Sequence, residues 1–268
     1  MIVQFLHNAI SAMAVASLPA QPKPRTAAQK TSRRTAILLA AERLFGDRGY
    51  HAVSIREVAE AARVPIGLIG YYFGSKEGLL RGIFAFRQPT IEERVDGLRS
   101  VLRDMDGLAP DDAVREIVRA FVEPVVRLRA LPASEYFMRL VTRAVTDQNA
   151  EMQGVIREHF DPLAEEYIAA FHQVLPEQDR ATVTWAYELA LGSLLLFVAD
   201  PRVERLSGGC CRSADPSALP LLVDFITAGF RAACARPAVK AACQPVRGNS
   251  RPGSPGHSVS RPKKEKSC

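Results

Sequence analysis

The chain has 268 residues, of which 47% are hydrophobic and 24% charged, enough to bury a sizeable core in one or two domains. It has no uninterrupted apolar run of the roughly 18 residues that a membrane span requires. The formal charge of +6 is unevenly spread: residues 22–87 hold 12 Lys/Arg against 5 Asp/Glu, residues 88–240 hold 17 against 23, and the remainder holds 6 against 1. A basic first unit ahead of an acidic body favours a polyanionic partner for that unit.

Residues 1–29 carry an apolar stretch, but no Lys or Arg precedes it as a secretory signal requires. They are expected to be a disordered or weakly ordered extension to a cytoplasmic protein. From residue 30 the apolar positions recur at i, i+3, i+4 and i+7, and no long alternating run appears, so the fold class is all-α. The first helix buries Ile37, Leu38, Ala41, Leu44 and Phe45, and Gly46 and Gly49 punctuate its end.

Ser54 and Glu57 form an S-x-x-E capping box that starts a helix over 54–62 with the stripe Ile55, Val58, Ala59 and Ala62. A tight turn at Arg63-Val64 follows, and Pro65 is expected at the first position of the next helix, over 65–72. Two short helices joined by so few residues have the sequence form of a helix-turn-helix. In the second, Val64, Leu68 or Ile69, and Phe73 are expected to bury. That leaves Pro65, Ile66, Gly67, Gly70 and Tyr71 facing outward. An outward face of this kind makes poor solvent surface. Against a DNA groove it is useful: the glycines admit close backbone approach, Ile66 can touch a thymine methyl, and Tyr71 can reach a phosphate. Gly74 ends the helix, and Ser75 caps the next with Lys76 in its first turn, a site suited to a phosphate.

A helix from Ser75 is expected to stop at Pro89. Further helices follow near 90–104, 111–130, 133–147, 149–174, 177–199 and 217–235, with Pro110, Pro132, Pro176 and Asp200-Pro201 as boundaries. The segment 185–198 is apolar nearly all round and must bury on several sides. Phe137, Leu140, Val141, Phe160, Trp185 and Leu189, with Tyr136, Met138 and Phe171 beside them, recur at helical spacing and are read either as core or as the wall of a ligand cavity. Arg139 or Arg143 is placed either to meet an acidic headgroup or, the simpler expectation, to form an exposed ion pair. Residues 237–268, rich in Pro, Gly, Ser and Lys, are expected to form a disordered basic tail.

The five cysteines have neither CxxC spacing nor a histidine at ligand distance in sequence, so no metal is expected and reduced thiols are. The histidines are scattered, with no HExxH, nucleophile elbow or P-loop. No cofactor or catalytic residue is expected, and the chain does not read as an enzyme.

The stretch from Arg33 to Leu80 resembles the DNA-binding domain of the TetR/AcrR family of bacterial regulators. The resemblance rests on Ile37-Leu38-x-Ala40-Ala41-x-x-Leu44-Phe45, Arg48-Gly49-Tyr50, Ser54-Ile55-Arg56-Glu57-Val58-Ala59, Gly67, Tyr71, Phe73 and Ser75-Lys76-Glu77-x-Leu79-Leu80. It implies a DNA-binding domain over 30–75 and a ligand-binding and dimerisation domain over 76–236. It further implies a homodimer reading an inverted repeat in double-stranded DNA, as a repressor released by a small, mostly apolar effector; the Phe137-Met138-Arg139-Leu140 wording resembles regulators that answer to fatty acids or acyl-CoA. Ser54, Arg56, Tyr71 and Lys76 would contact DNA, joined by Arg33 and Arg34. The chain departs from the family pattern at Ile66, at Gly70-Tyr71 and at Tyr72. The less polar recognition face leaves a second reading open, an all-α adaptor without specific DNA binding.

Overall fold

The computed structural model describes residues 27–235, with side chains from Ser32 onward. The expected N-terminal extension and basic tail therefore lie almost wholly outside the described residues. Within them the fold is all-α. The helices are α1 (Ala27–Arg48), α2 (Ile55–Ala61), α3 (Ile66–Phe73), α4 (Lys76–Asp104), α5 (Pro110–Arg129), α6 (Ser134–Thr146), α7 (Ala150–His159), α8 (Asp161–Val174), α9 (Arg180–Ala199), α10 (Arg202–Leu206) and α11 (Leu219–Cys234), the last entered through a 3-10 turn at Pro216–Ala218.

Local signals set most boundaries. The Ser54 hydroxyl accepts the Glu57 N–H at 3.2 Å while the Glu57 carboxylate accepts the Ser54 N–H at 2.7 Å, completing the capping box of α2. Ser75 caps α4 by accepting the Gly78 N–H at 3.0 Å, and the Asn149 and Asp179 side chains cap α7 and α9. Arg63, in the turn between α2 and α3, adopts φ +54°, a left-handed geometry that a side chain takes at a cost. Pro65 precedes α3 as its N-cap, one position earlier than expected.

Two prolines behave in opposite ways. Pro162 sits in the first turn of α8 and splits the expected 149–174 helix at Phe160. Pro89, expected to end a helix, lies inside the 29-residue α4. Lacking an N–H, it leaves the Ala85 carbonyl without its helical donor. The helix survives because Ile83, Phe84, Ile91 and Leu98, on both sides of the proline, are buried along it.

Helix α1 carries the two short helices and packs against both α4 and α6. At Gly46 the α1–α6 approach is so close that an added Cβ would lie 2.3 Å from the Tyr136 carbonyl oxygen. Asp47 pairs with Arg139 at 2.7 Å and its carbonyl accepts from Arg143 at 3.2 Å. Glu42, only 2% exposed, accepts two hydrogen bonds from Arg87 on α4, at 2.5 and 2.8 Å. Thus α4 and α6 both tie the first three helices to the body.

Two segments, Arg180–Ala199 and Pro216–Cys234, are long and apolar enough by length and composition to cross a membrane, although neither is an uninterrupted apolar run. Each buries one side in the body. The other side exposes Trp185 (59%), Leu189 (67%) and Leu196 on α9, and Leu221 and Phe225 (65%) on α11.

Candidate nucleic-acid interface and ligand cavity

Helix α3 is held by one buried residue, Ile69, with Val64, Leu68 and Phe73 half-buried beside it. Its opposite face carries Ile66 at 52% and Tyr71 at 72% exposure. A Cβ added at Gly67 or Gly70 would meet nothing within 4 Å, so the two glycines bare the backbone of an open face. No packing need explains them.

Ser54, the N-cap of α2, and Arg56 within it are exposed, and so is Arg34 on α1, whose guanidinium lies 5.4 Å from the Phe73 ring centre. Arg33 is half-buried. Arg56 and Arg63 make no ion pair among the described residues, so both are available to an anionic partner. The Ser54 hydroxyl lies 2.8 Å from the Glu57 carboxylate, and Arg48 pairs with the same carboxylate at 2.7 Å. The Ser54 backbone N–H, followed by its hydroxyl and Arg48, holds the Glu57 carboxyl down to about 2.

Lys76 is placed differently from the other candidates. Its ammonium sits 4.3 Å from the Tyr50 ring centre, a cation–π distance. Burial lowers its pKa, opposed by Glu151 and Glu57. The Tyr50 hydroxyl in turn donates to Glu151 on α7, and burial pushes its pKa up, followed by that hydrogen bond. Lys76 therefore stands at the junction with the body, turned toward Tyr50.

A cavity of about 260 Å³ opens between α4, α5, α6, α7, α8 and α9. Phe137, Val141 and Phe160 line it, as the sequence suggests. Three other expected residues do not. Leu140 is fully buried outside the lining, and Trp185 and Leu189 lie on the exposed side of α9. The α9 positions that line the cavity are Tyr187, Leu191, Leu194 and Leu195, with Glu188 at its rim. Of the flanking candidates Met138 lines it, whereas Tyr136 and Phe171 do not, Phe171 stacking on Phe230 at 4.1 Å. Arg139 and Arg143 are engaged with Asp47 instead of the cavity.

The cation in the cavity wall is Arg94, which the sequence reading passed over. Its spacing from Ile91 and Leu98, i+3 and i−4, was the available signal, because it puts an arginine on a buried stripe.

Residues 37–83 match the family model described as bacterial regulatory proteins, tetR family, and residues 119–229 match that of the tetracyclin repressor-like C-terminal domain. The chain belongs to the TetR family. Similar curated proteins include the HTH-type transcriptional repressor KstR2 of Rhodococcus jostii, 32% identical over 107 residues that cover 40% of this chain and 43% of that one. Another is the HTH-type transcriptional activator FasR of Mycolicibacterium smegmatis, 36% identical over 74 residues covering 28% of this chain and 32% of that one. The chain spans less than half the length of these curated relatives. Among solved structures, the hemolysin II transcriptional regulator HlyIIR superposes with a TM-score of 0.51 at 18% identity, covering 74% of this chain and 98% of that one. The fatty acid degradation regulator FadR from Bacillus halodurans gives 0.50 at 18%, covering 78% and 99%. At these identities the structures share the TetR fold and nothing finer.

Proposed function

We propose that this TetR-family chain is a cytoplasmic, dimeric transcriptional repressor that α2 and α3 dock into DNA and a mostly apolar small molecule releases. The observation that carries the DNA reading is the open face of α3. Two glycines with empty space above them, Ile66 and Tyr71 stand beside the unpaired Arg56 and the exposed Arg34. Ser54, Pro65 and Arg33 complete the contact surface. Lys76 joins them by swinging away from Tyr50, or else acts from the junction.

A short helix makes few base contacts, so two copies reading an inverted repeat supply the specificity. The unpartnered apolar faces of α9 and α11 supply the dimer surface. The matched repressor KstR2 supports the direction of regulation.

The apolar walls of the cavity support an apolar effector, fatty-acid-like in character. At about 260 Å³ the cavity is near the small end of ligand sites, too small to enclose a whole acyl-CoA. Helix α4 lines the cavity through Ile91 and Arg94 and anchors the reading head through Leu79, Leu80 and Ile83. Phe84, on the same helix, packs against Phe137 and Phe160 at 5.6 and 5.9 Å. A ligand pressing on those rings moves the helix that carries the head. A tenfold loss of DNA affinity needs only about 1.4 kcal/mol of ligand preference for the non-binding state, and DNA must weaken the ligand by the same factor.

The test is to sequence DNA fragments captured by the purified protein and confirm them by electrophoretic shift. An enriched inverted repeat is expected. Capture without sequence enrichment would favour the adaptor reading.

A further inference from the structure

Arg94 is 7% exposed, lines the cavity, and has a buried Nε with no hydrogen-bond partner. No carboxylate lies within ion-pair distance of it among the described residues. An arginine cannot shed its proton, and a buried charge without a partner is costly. Two aromatic rings and the Tyr167 hydroxyl, which faces the guanidinium, offset that cost only in part, because none of them carries a negative charge. The guanidinium carbon lies 4.9 Å from the Phe121 ring centre and 5.8 Å from that of Tyr167.

Neither nearby phenol is an available anion. The Tyr167 hydroxyl donates to the backbone carbonyls of Arg94 and Ala120, at 3.1 and 2.9 Å. Burial pushes the Tyr167 and Tyr187 pKa values to about 12, so both stay neutral. Asp161 and Glu188 belong to the cavity wall but are exposed at its rim, where water hydrates them. A fixed cation therefore stands inside an apolar chamber with half of an ion pair missing.

We infer that the cavity takes an organic monoanion, its carboxylate or equivalent oxyanion bound by Arg94 and its apolar body lying against Phe137, Val141, Phe160 and Leu194. This rests on the reading of the cavity as the effector site and names the chemical class of the effector. The space is enough for roughly nine non-hydrogen atoms at about 30 Å³ each, so that an acid the length of octanoate, with ten, fills it to the rim. Arg94 sits on α4, five positions after Pro89, so the anion pulls directly on the helix that carries the reading head.

Isothermal titration of the full chain with octanoate, 1-octanol and octylammonium tests the inference. Charge-assisted hydrogen bonds to a buried guanidinium favour octanoate over octanol by about tenfold or more. Arg94→Met should abolish that preference while octanol still binds, and Arg94→Lys should retain most of it. If Arg94→Met does not fold, the wild-type series and Arg94→Lys decide. Octanol binding as tightly as octanoate to the wild type overturns the anion assignment and leaves the cavity reading intact. Octylammonium binding tightest also overturns it, and gives control to Asp161 and Glu188. If none of the three binds, the effector-site reading falls together with the inference.

Discussion

Gly67 and Gly70 separate stability from function at the scale of single residues. Alanine is better than glycine in a helix interior by about 1 kcal/mol, and neither position has a neighbour to obstruct a methyl group. Gly67→Ala and Gly70→Ala are therefore expected to raise the melting temperature. On the proposed docking, the same methyls would hold the backbone of α3 away from the groove and should weaken operator binding severalfold. Full affinity in both variants, measured by fluorescence anisotropy, would show that this backbone does not approach DNA closely. Glu57 makes an acid-sensitive contribution. Its native pKa of about 2 lies below the ordinary 4.5. The cap's stabilisation is thus complete above pH 4.5 and lost as the pH falls toward 2. Glu57→Gln should melt below the wild type at pH 6, and the two melting curves should converge near pH 2.

At the scale of helices, α9 shows where sequence periodicity stops being informative. The reading head has one core and one solvent face, so its apolar spacing alone identified Ile37, Leu38, Phe45, Val58 and Ala59 as buried, and they are. Helix α9 is apolar on both sides: one faces the cavity and core, the other faces outward. An all-round apolar pattern cannot say which is which, and so Trp185 and Leu189 were expected in the cavity that Tyr187 and Leu191 line. Proline marks were ambiguous for a related reason, since burial on both sides of Pro89 outweighs a missing hydrogen bond while Pro162 opens a new helix. Arg94 stayed hidden because its charge argued for surface even as its spacing argued for core. The outward faces of α9 and α11 give a direct expectation. Leu189→Glu and Phe225→Glu should yield a monomer by light scattering, with helical content unchanged and operator affinity lost. Leu195→Glu, by contrast, enters the cavity wall and should disturb ligand binding or folding. A dimer that survives both outward charges would place the interface elsewhere.

For the molecule as a whole, the proposed effector cavity and the proposed DNA-reading helices share one long helix, α4, with Pro89 between them. Pro89→Ala restores the missing helical hydrogen bond and should stiffen α4. The expected result is a higher melting temperature and a smaller effect of ligand on DNA affinity, measured by titrating operator with and without octanoate. Coupling unchanged in this variant would move the transmission to the α1–α6 contact at Gly46. The position of Pro89 also has a mechanical meaning. From Pro89 back to Lys76 the helix runs about 20 Å at 1.5 Å per residue, and under the proposed coupling it would act as a lever with its fulcrum beside the cavity. A bend of about 5° there carries the far end through about 2 Å. In a two-fold pair the two ends swing in opposite senses, so the gap between the reading helices changes by about twice that amount. Hydrogen bonds to phosphate are formed near 2.9 Å and are lost beyond about 3.5 Å, so a displacement too small to disturb any core is large enough to break the grip on both half-sites at once.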